Sequence, residues 1–539
     1  MAFREIVDAL KGHYPEGTSD RFRRLDAYEK LLNNKLYDHL PHAFITESNG
    51  GSHVPFAQRR PSETYNLAEI IVSQTAGLLF GDEQAPTVRC HDDKADGENP
   101  DKDTEDAIET LIDTLELDAY LHEAVYVGSP GSVAIVVRAV GPDKRPYIEI
   151  VNGKFGMPIY ATLEPDKLVA LRQIYPVKGD DLIPLGYDAI EGGDYWMRLD
   201  ITETNEVRYV PLSDTDYQRL GTKDPVTHKV IEWELDAERS FTHAFQCVPV
   251  VWIKNLGRTT FGIDGPCTFG SIVDLIVSID YGISQTTRGF RFSAEPMLAI
   301  ARGELADQNI EGPLGDGTLK DSGGRPVRTG ANFLDLEHGA SAQMLEIAGK
   351  GLTGFKEYLE MLREWALEVL GGMKASAEHT KGAPSGKALE MLHQALILLV
   401  KRQRLAYGNR GYVPLLRVIL KGISNGAIVV NGISNVNPDV PLRLVWPSWM
   451  LPTGTDLMAH AQGLQELAGM GPDGQTRPLL PESALVRLAA NAVGINDAQQ
   501  AIAELETQRT KEDAVKAQNA HDAAALQAAV KTAAPPAKK

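Results

Sequence analysis

Two short segments hold residue types that suggest chemistry. Gly382, Ser385, Gly386 and Lys387 resemble a loop that cradles phosphates with backbone N–H groups and a lysine. Such a loop needs four residues between its glycines and a Ser or Thr after the lysine for magnesium. Here the spacer is three residues, Ala388 stands at the hydroxyl position, and no apolar strand precedes. The segment reads as a flexible loop opening a helix. Gly422, Ser424 and Gly426 match the spacing of a hydrolase nucleophile elbow, which requires strand, serine, then helix. This sequence offers helix then strand, so a helix-ending turn is the better reading. Asp92, Asp93, Asp96, Glu98, Asp101 and Asp103 form an acidic loop. Counted from Asp93, however, Ala95 and Gly97 occupy positions where a calcium loop needs oxygen ligands. The 13 histidines make no HExxH and no metal-like spacing with cysteine. Neither catalysis nor a cofactor is expected.

The densest positive feature is Lys401-Arg402-Gln403-Arg404, with Arg410 and Arg417 beyond it. A solvated or ion-paired helix face is the plainer reading. Subunit pairing, or contact with nucleic acid through Lys401, Arg402 and Arg404, is the alternative. Trp446 and Trp449 read as packing at a strand end. The whole chain of 539 residues has 54 basic and 73 acidic side chains, a net charge of −19. That balance argues against gripping phosphate backbones, since DNA affinity comes mostly from Lys and Arg displacing counterions. Three distant cysteines (Cys90, Cys247, Cys267) support neither a disulfide framework nor a zinc site and suit a reducing compartment. The longest apolar runs are about six residues, against roughly 18 for a membrane span, so no membrane partner or export route is expected.

The elements that carry these residues change character along the chain. Asn66 and Glu69 are spaced as a capping box, opening a helix that Gly81 ends. A single helix is expected from about Asp103 to Val127. A hairpin follows, Gly131–Val140 and Tyr147–Val151, turning at Gly141 to Lys144. Strand signals at Lys167–Tyr175, Asp194–Ile201 and Glu206–Pro211 extend one antiparallel meander over 130–250, closed by Val248–Ile253. Phe269–Phe292 is then helical, with Ile272, Ile276, Ile279 and Ile283 on one face and Asp274, Asp280, Arg288 and Arg291 elsewhere. Strands are expected at Pro296–Ala301, Asn332–Leu336 and Ala342–Ile347 around a Gly-rich loop, 312–330. A helix over Leu352–Leu370 places Phe355, Leu359, Leu362, Trp365 and Val369 on its apolar face. A polar loop, 373–385, leads into a long helix from Gly386 towards Leu420, which Gly408, Gly411 and Pro414 must interrupt. Ala427–Val430 and Pro441–Val445 return as strands. The remainder is helical and Ala-rich and fades into a Pro-containing tail.

This order of parts is similar to that of the portal proteins of tailed bacteriophages. Asn66–Gly81 resembles that family's early helix ending in Leu-Phe-Gly, and Val248-Pro249-Val250-Val251 with Asn255 resembles the strand closing its wing. Glu295-Pro296 resembles the entry to its clip, and Ser385-Gly386-Lys387-Ala388-Leu389 the start of its long helix. Trp446-Pro447 before Thr453–Asp456 resembles the segment ahead of its crown. The collinear order carries more weight than any one motif. Pro414 and the 312–330 insertion depart from the pattern.

The resemblance implies an α+β fold: an elongated subunit with an α/β wing, a helical stem, a small β-containing clip and an α-helical crown. The wing would take 1–255 and the return segment 386–455, with stem helices in 256–294 and 349–372. The clip would be 295–348, the tunnel loop 373–385, and the crown 456–539. It implies a ring, most often of twelve subunits, through which double-stranded DNA is packaged and ejected without sequence recognition. Tunnel-loop residues Lys374, Ser376, His379, Lys381 and Ser385 would face that DNA. The implied partners are the terminase large subunit, a head–tail adaptor, and the major capsid and scaffolding proteins. The implied location is the virion's portal vertex, after assembly in the host cytoplasm. Two other classes compete. A packaging motor would need a strand followed by an intact phosphate loop, and another head or tail structural protein would leave the two helices bracketing a β insertion unexplained.

Overall fold

The computed structural model describes residues 3–10, 14, 18–81, 84–90, 102–223, 229–257, 262–294, 297–301, 341–345, 350–370, 394–433, 436–447 and 449. The expected acidic loop before residue 102, the 312–330 loop, the Asn332–Leu336 strand, the tunnel loop and the crown lie outside the described residues. The fold is mixed α+β, in two compact units. One comprises Leu40–Tyr65 and Val277–Arg363. The other comprises Ala2–His39, Asn66–Ile276 and Glu364–Lys539.

The larger unit is organised around the strand Ser132–Val140. It is the middle of a three-stranded antiparallel sheet, between Val250–Lys254 and Arg145–Asn152. Side chains alternate across a strand, and here both faces are buried. Val133, Ile135 and Val137 enter a large core shared with the helices. Ala134 and Val136 enter a second core with Leu171, Leu199, Ile201 and Trp252. A strand covered on both sides reads as a continuous apolar run, which explains its sequence.

The second core belongs to a separate antiparallel sheet of six strands. Its main path runs Leu235–Thr242, Asn205–Tyr209, Asp194–Thr202, Leu168–Lys178 and Gly156–Tyr160. The single meander expected over 130–250 is therefore two sheets. The closing strand, Val250–Lys254, joins the smaller one. Its residues explain the choice: Val250 and Trp252 face the second core while Val251 and Ile253 face the helices. A strand with two apolar faces suits a position covered on both sides.

The helical layer departs from expectation in three places. The segment expected as one helix over 103–127 is two, Lys102–Leu115 and Leu117–Gly128, broken at Glu116 (φ 50°). Thr104, Ile108 and Leu111 are buried from the first, and Leu117, Leu121, Ala124 and Val125 from the second. At about 100° per residue these stripes would point to different sides of one straight helix, and the break brings both inward. The capping box does not form at Leu67–Phe80. Asn66 is left-handed (φ 45°), so its side chain misses the first turn and donates to the Leu32 carbonyl (3.1 Å). Glu69 accepts from Ser73 instead. Ala427–Val430 is not a strand; only an isolated bridge joins Val430 to Ile433. Further on, Arg443–Val445 pairs with Thr87–Arg89.

The interruption expected near Pro414 takes a specific form. Gln394–Gln403 is α-helical, Arg404–Tyr412 is a π-helix, and Val413–Ser424 is α-helical again. Proline lacks an N–H and its ring clashes with the carbonyl four residues back. The wider π turn removes that clash without ending the helix. The glycines are required by close packing. A Cβ on Gly408 would stand 2.7 Å from the Trp446 ring, and one on Gly411 2.7 Å from Cδ1 of Ile253. The helix ends in a turn at Asn425–Gly426, in keeping with the helix-ending reading of Gly422–Gly426.

The helices Val273–Ala294 and Lys350–Val369, most of whose length lies in the smaller unit, bracket a two-stranded antiparallel sheet, Met297–Ala301 with Ser341–Leu345. Gly282 lies against Phe355 and Leu359. Asp280, expected away from the apolar face, is buried and accepts from the Tyr65 N–H (2.8 Å). Trp365 and Val369 are also corrected. Both are exposed, while Leu362, Ala366 and Leu370 are buried, so the inward face is turned from the expected one.

Gly408→Ala is expected to cost about 1–3 kcal/mol through overpacking. Gly289→Ala, with nothing near its Cβ position inside a helix, should gain about 0.5–1 kcal/mol. Urea denaturation midpoints should move in opposite directions.

Candidate functional site

The most developed polar arrangement lies in the larger unit, where the sheet corner at Ser129–Ser132 meets the segment Asp264–Thr268. Asn255 ends the strand Val250–Lys254 and is completely buried. Its Nδ2 donates to Ser129 O (3.0 Å), Pro266 O (2.8 Å) and Thr268 Oγ1 (2.9 Å). Its Oδ1 accepts from the Tyr407 hydroxyl (3.3 Å), and its N–H donates to Gly131 O. One carboxamide thus ties the sheet corner, the incoming segment and the π-helix together.

That tie presents Asp264, whose side chain is only 5% exposed. It receives Arg21 through two bonds (Nε–Oδ2 2.8 Å, Nη2–Oδ1 2.7 Å), Arg24 (3.3 Å) and the Ser132 hydroxyl (2.7 Å). Arg21 also donates to Gly156 O and Gly153 O, which completes its planar fork. Arg21 and Arg24 come from the helix Asp20–Leu32, capped by Ser19, whose hydroxyl accepts from the Phe22 N–H. On the same helix Asp26 is held by Lys154 and Lys30 (2.8 Å each) and by the Tyr14 hydroxyl (2.7 Å). Burial pushes the Asp26 carboxyl up. Hydrogen bonds from Lys154 and Lys30 outweigh burial and hold it below its ordinary value.

A cleft of about 910 Å³ opens beside this network. Its charged lining is Arg21, Arg24, Arg402 and Asp264, with Leu256, Leu399 and Val369 among the apolar residues. Three arginines against one carboxylate give a local positive excess on a chain of net charge −19.

The basic run is therefore split. Lys401 is exposed, and Arg402 turns into the cleft. Arg404 stacks between Trp446 (4.7 Å to the ring centre) and Trp449 (3.3 Å). Burial pulls its guanidinium down to about 10. Gln403 between them is fully buried. Arg404 is thus occupied within the chain, and the two tryptophans pack on it as well as on the strand end. The expected tunnel-loop residues Lys374, Ser376, His379, Lys381 and Ser385 lie outside the described residues. Among the described residues no cluster of His, Cys, Asp and Glu is arranged to hold a metal. No helix among them is long and apolar enough to cross a membrane.

Asp264, Arg21 and Arg24 were not legible as a site. Their one local signal is Ser19 capping a helix whose first turn holds Arg21, Arg23 and Arg24, and nothing in the sequence pairs that helix with Asp264.

A family model described as phage portal protein, SPP1 Gp6-like, matches residues 12–485. The chain belongs to that portal family. No curated protein matches the sequence. The match spans both units and most of the segments whose order first suggested a portal protein. Two portal-like motifs acquire physical meaning in the structure. Asn255, after the wing-closing strand, is the buried tie described above. Trp446-Pro447 supplies one face of the Arg404 stack. Membership of the family implies an oligomeric ring with capsid-associated partners at a virion vertex.

Asp264→Asn should destabilise the chain by about 3 kcal/mol, because it leaves Arg21 without its counter-charge in a buried site. Asp26→Asn carries a pH signature. A depressed carboxyl contributes stability that is present above its unfolded value and lost as pH falls through the folded one. The gap between wild type and Asp26→Asn should be full at pH 7 and close as pH falls below the ordinary carboxylate range, as read from thermal melts across that range.

Proposed function

We propose that this portal protein assembles into a closed twelve-subunit ring and acts as a passive conduit for double-stranded DNA during packaging and ejection, without catalytic chemistry of its own. The observation that carries this reading is the family match over 12–485. It is supported by the unit in which two long helices bracket a pair of antiparallel strands. In that reading the helices are the stem and the strands belong to the clip. The larger unit's sheets and the 386–455 return are the wing, 373–385 is the tunnel loop, and 456–539 is the crown.

Physical logic favours the assignment. A ring of identical subunits needs heterologous contacts whose rotation closes. The helix Lys350–Val369 keeps Tyr358, Trp365 and Val369 exposed on the isolated chain, and large exposed apolar side chains in a row mark a surface awaiting a partner. An acidic chain repels phosphates and lets a duplex pass, while a few loop cations limit backsliding. Lys374 and Lys381 would act in this way through phosphate contacts, which position DNA without reading bases. In this reading the terminase large subunit before packaging is complete, and a head–tail adaptor afterwards, dock at the clip end. Scaffolding and major capsid proteins would surround the wing.

Native mass spectrometry should give a closed assembly of roughly 700 kDa, twelve copies of a 58.8 kDa chain. A stable monomer under all conditions, or an open filament, would contradict the ring. Deleting Lys374–Pro384 should leave assembly intact and impair DNA packaging or retention. Normal packaging and retention by such rings would remove the tunnel-loop assignment.

A further inference from the structure

Two helix faces of the larger unit carry charges that no contact within the chain uses. The first is on Lys102–Leu115. Asp103, Asp106, Glu109 and Asp113 recur there every three or four residues, and Glu116 follows at the break. That spacing stacks them on one side of the helix. All five are exposed, and among the described residues none of their carboxylates is paired with a cation. Ile108 and Leu111 take the opposite side of the helix into the large core. The second face runs along the interrupted helix from Gln394 to Ser424. Lys401, Arg402, Arg410 and Arg417 are exposed on it, and Leu398 (42%) and Leu405 (49%) are exposed among them. Lys401, Arg402 and Arg417 meet no carboxylate among the described residues, and Arg410 donates to the Gly257 carbonyl (3.0 Å).

Val400, Ala406, Tyr407 and Leu415 turn this helix into the same core that Ile108 and Leu111 enter. Each helix therefore gives its apolar side to one shared core and its charge to the outside, and no ion pair joins the two stripes within the chain. Their dimensions match. At about 1.5 Å per residue, Asp103 to Glu116 and Lys401 to Arg417 each span on the order of 20 Å. A DNA duplex would meet the four cations, but its phosphate backbone offers nothing apolar to Leu398 and Leu405, and a net charge of −19 works against its approach. A ring of identical subunits needs two different surfaces that fit each other, one on each side of every contact. This chain carries such a pair.

We infer that the basic face at Lys401–Arg417 of each subunit receives the acidic face at Asp103–Glu116 of the next copy, and that this contact sets the direction of ring closure. The inference rests on the ring reading and names a contact by which successive copies meet. Stripes of opposite sign steer the encounter and fix its register. Leu398 and Leu405 lose their exposure when the two helices lie side by side, which adds apolar burial to the charge pairing.

The test uses the full-length chain. Lys401→Glu, Arg402→Glu and Arg417→Glu together reverse the basic face. Asp106→Lys, Glu109→Lys and Asp113→Lys together reverse the acidic one. Each triple variant alone juxtaposes like charges at every contact, so the subunit concentration for half-assembly should rise at least about tenfold. Mixed one to one, the two variants can pair reversed face with reversed face and native with native. Rings of strictly alternating composition should then return, with masses resolved by native mass spectrometry. Circular dichroism establishes that each variant is folded. Should a reversal unfold, the single neutral variants Arg417→Gln and Glu109→Gln serve in a double-mutant cycle, and their effects on assembly must be non-additive. Folded variants that assemble as the wild type does, or a mixture that fails to restore rings, would overturn the contact and leave the ring reading standing. So would a duplex oligonucleotide whose binding is lost on reversing the basic face while assembly is unchanged, which would assign that face to DNA. A wild type that never forms rings would instead remove the ring reading, and this contact with it.

Discussion

The carboxamide of Asn255 is the point on which the larger unit depends. It is buried completely, and both its ends are engaged: the amide on Ser129, Pro266 and Thr268, the carbonyl oxygen on Tyr407. A buried polar group must find partners or cost several kcal/mol, so these contacts fix one another. They hold Asp264 where it can receive Arg21, and Arg21 draws the helix Asp20–Leu32 onto the sheet corner. The same carboxamide fixes Tyr407 in the middle of the π-helix. One side chain at the end of one strand thus ties the sheet corner, the Pro266–Thr268 segment and the π-helix.

Several charged side chains among the described residues are engaged within the chain. Arg59 is buried, giving its guanidinium to Val54 O. Arg198 and Arg172 share Asp200 across two strands, and Arg138 bridges to Glu206. Arg404 lies between tryptophans. These cations are engaged within the chain, on a sequence whose net charge is −19.

Elements with strong local signals were legible in the sequence. The hairpin at 132–152 was fixed by its turn, the two long helices by their apolar period, and the interruption near Pro414 by the ring that no regular helix accepts. What stayed hidden was long-range. Nothing local says that Val250–Lys254 pairs with 132–140 and leaves the meander, since its two apolar faces fit a doubly covered site only once the second sheet is known. The break at Glu116 is legible only after the two buried stripes are seen to disagree in phase. Trp365 and Val369 were assigned inward because apolar residues normally go inside, whereas the helix turns Leu362, Ala366 and Leu370 inward instead. The candidate site was the least legible part: Arg402 belongs to a visible basic run, but Asp264 and Arg21 meet across 243 residues of sequence.

The central claim is that copies of this chain close into a ring with a passage along its axis. The most direct test is an electron-microscopy image of the purified assembly viewed down that axis. The account predicts a closed ring of cyclic symmetry with a continuous central channel wide enough for a DNA duplex. A closed particle with no axial opening, or an unclosed helical array, would contradict it.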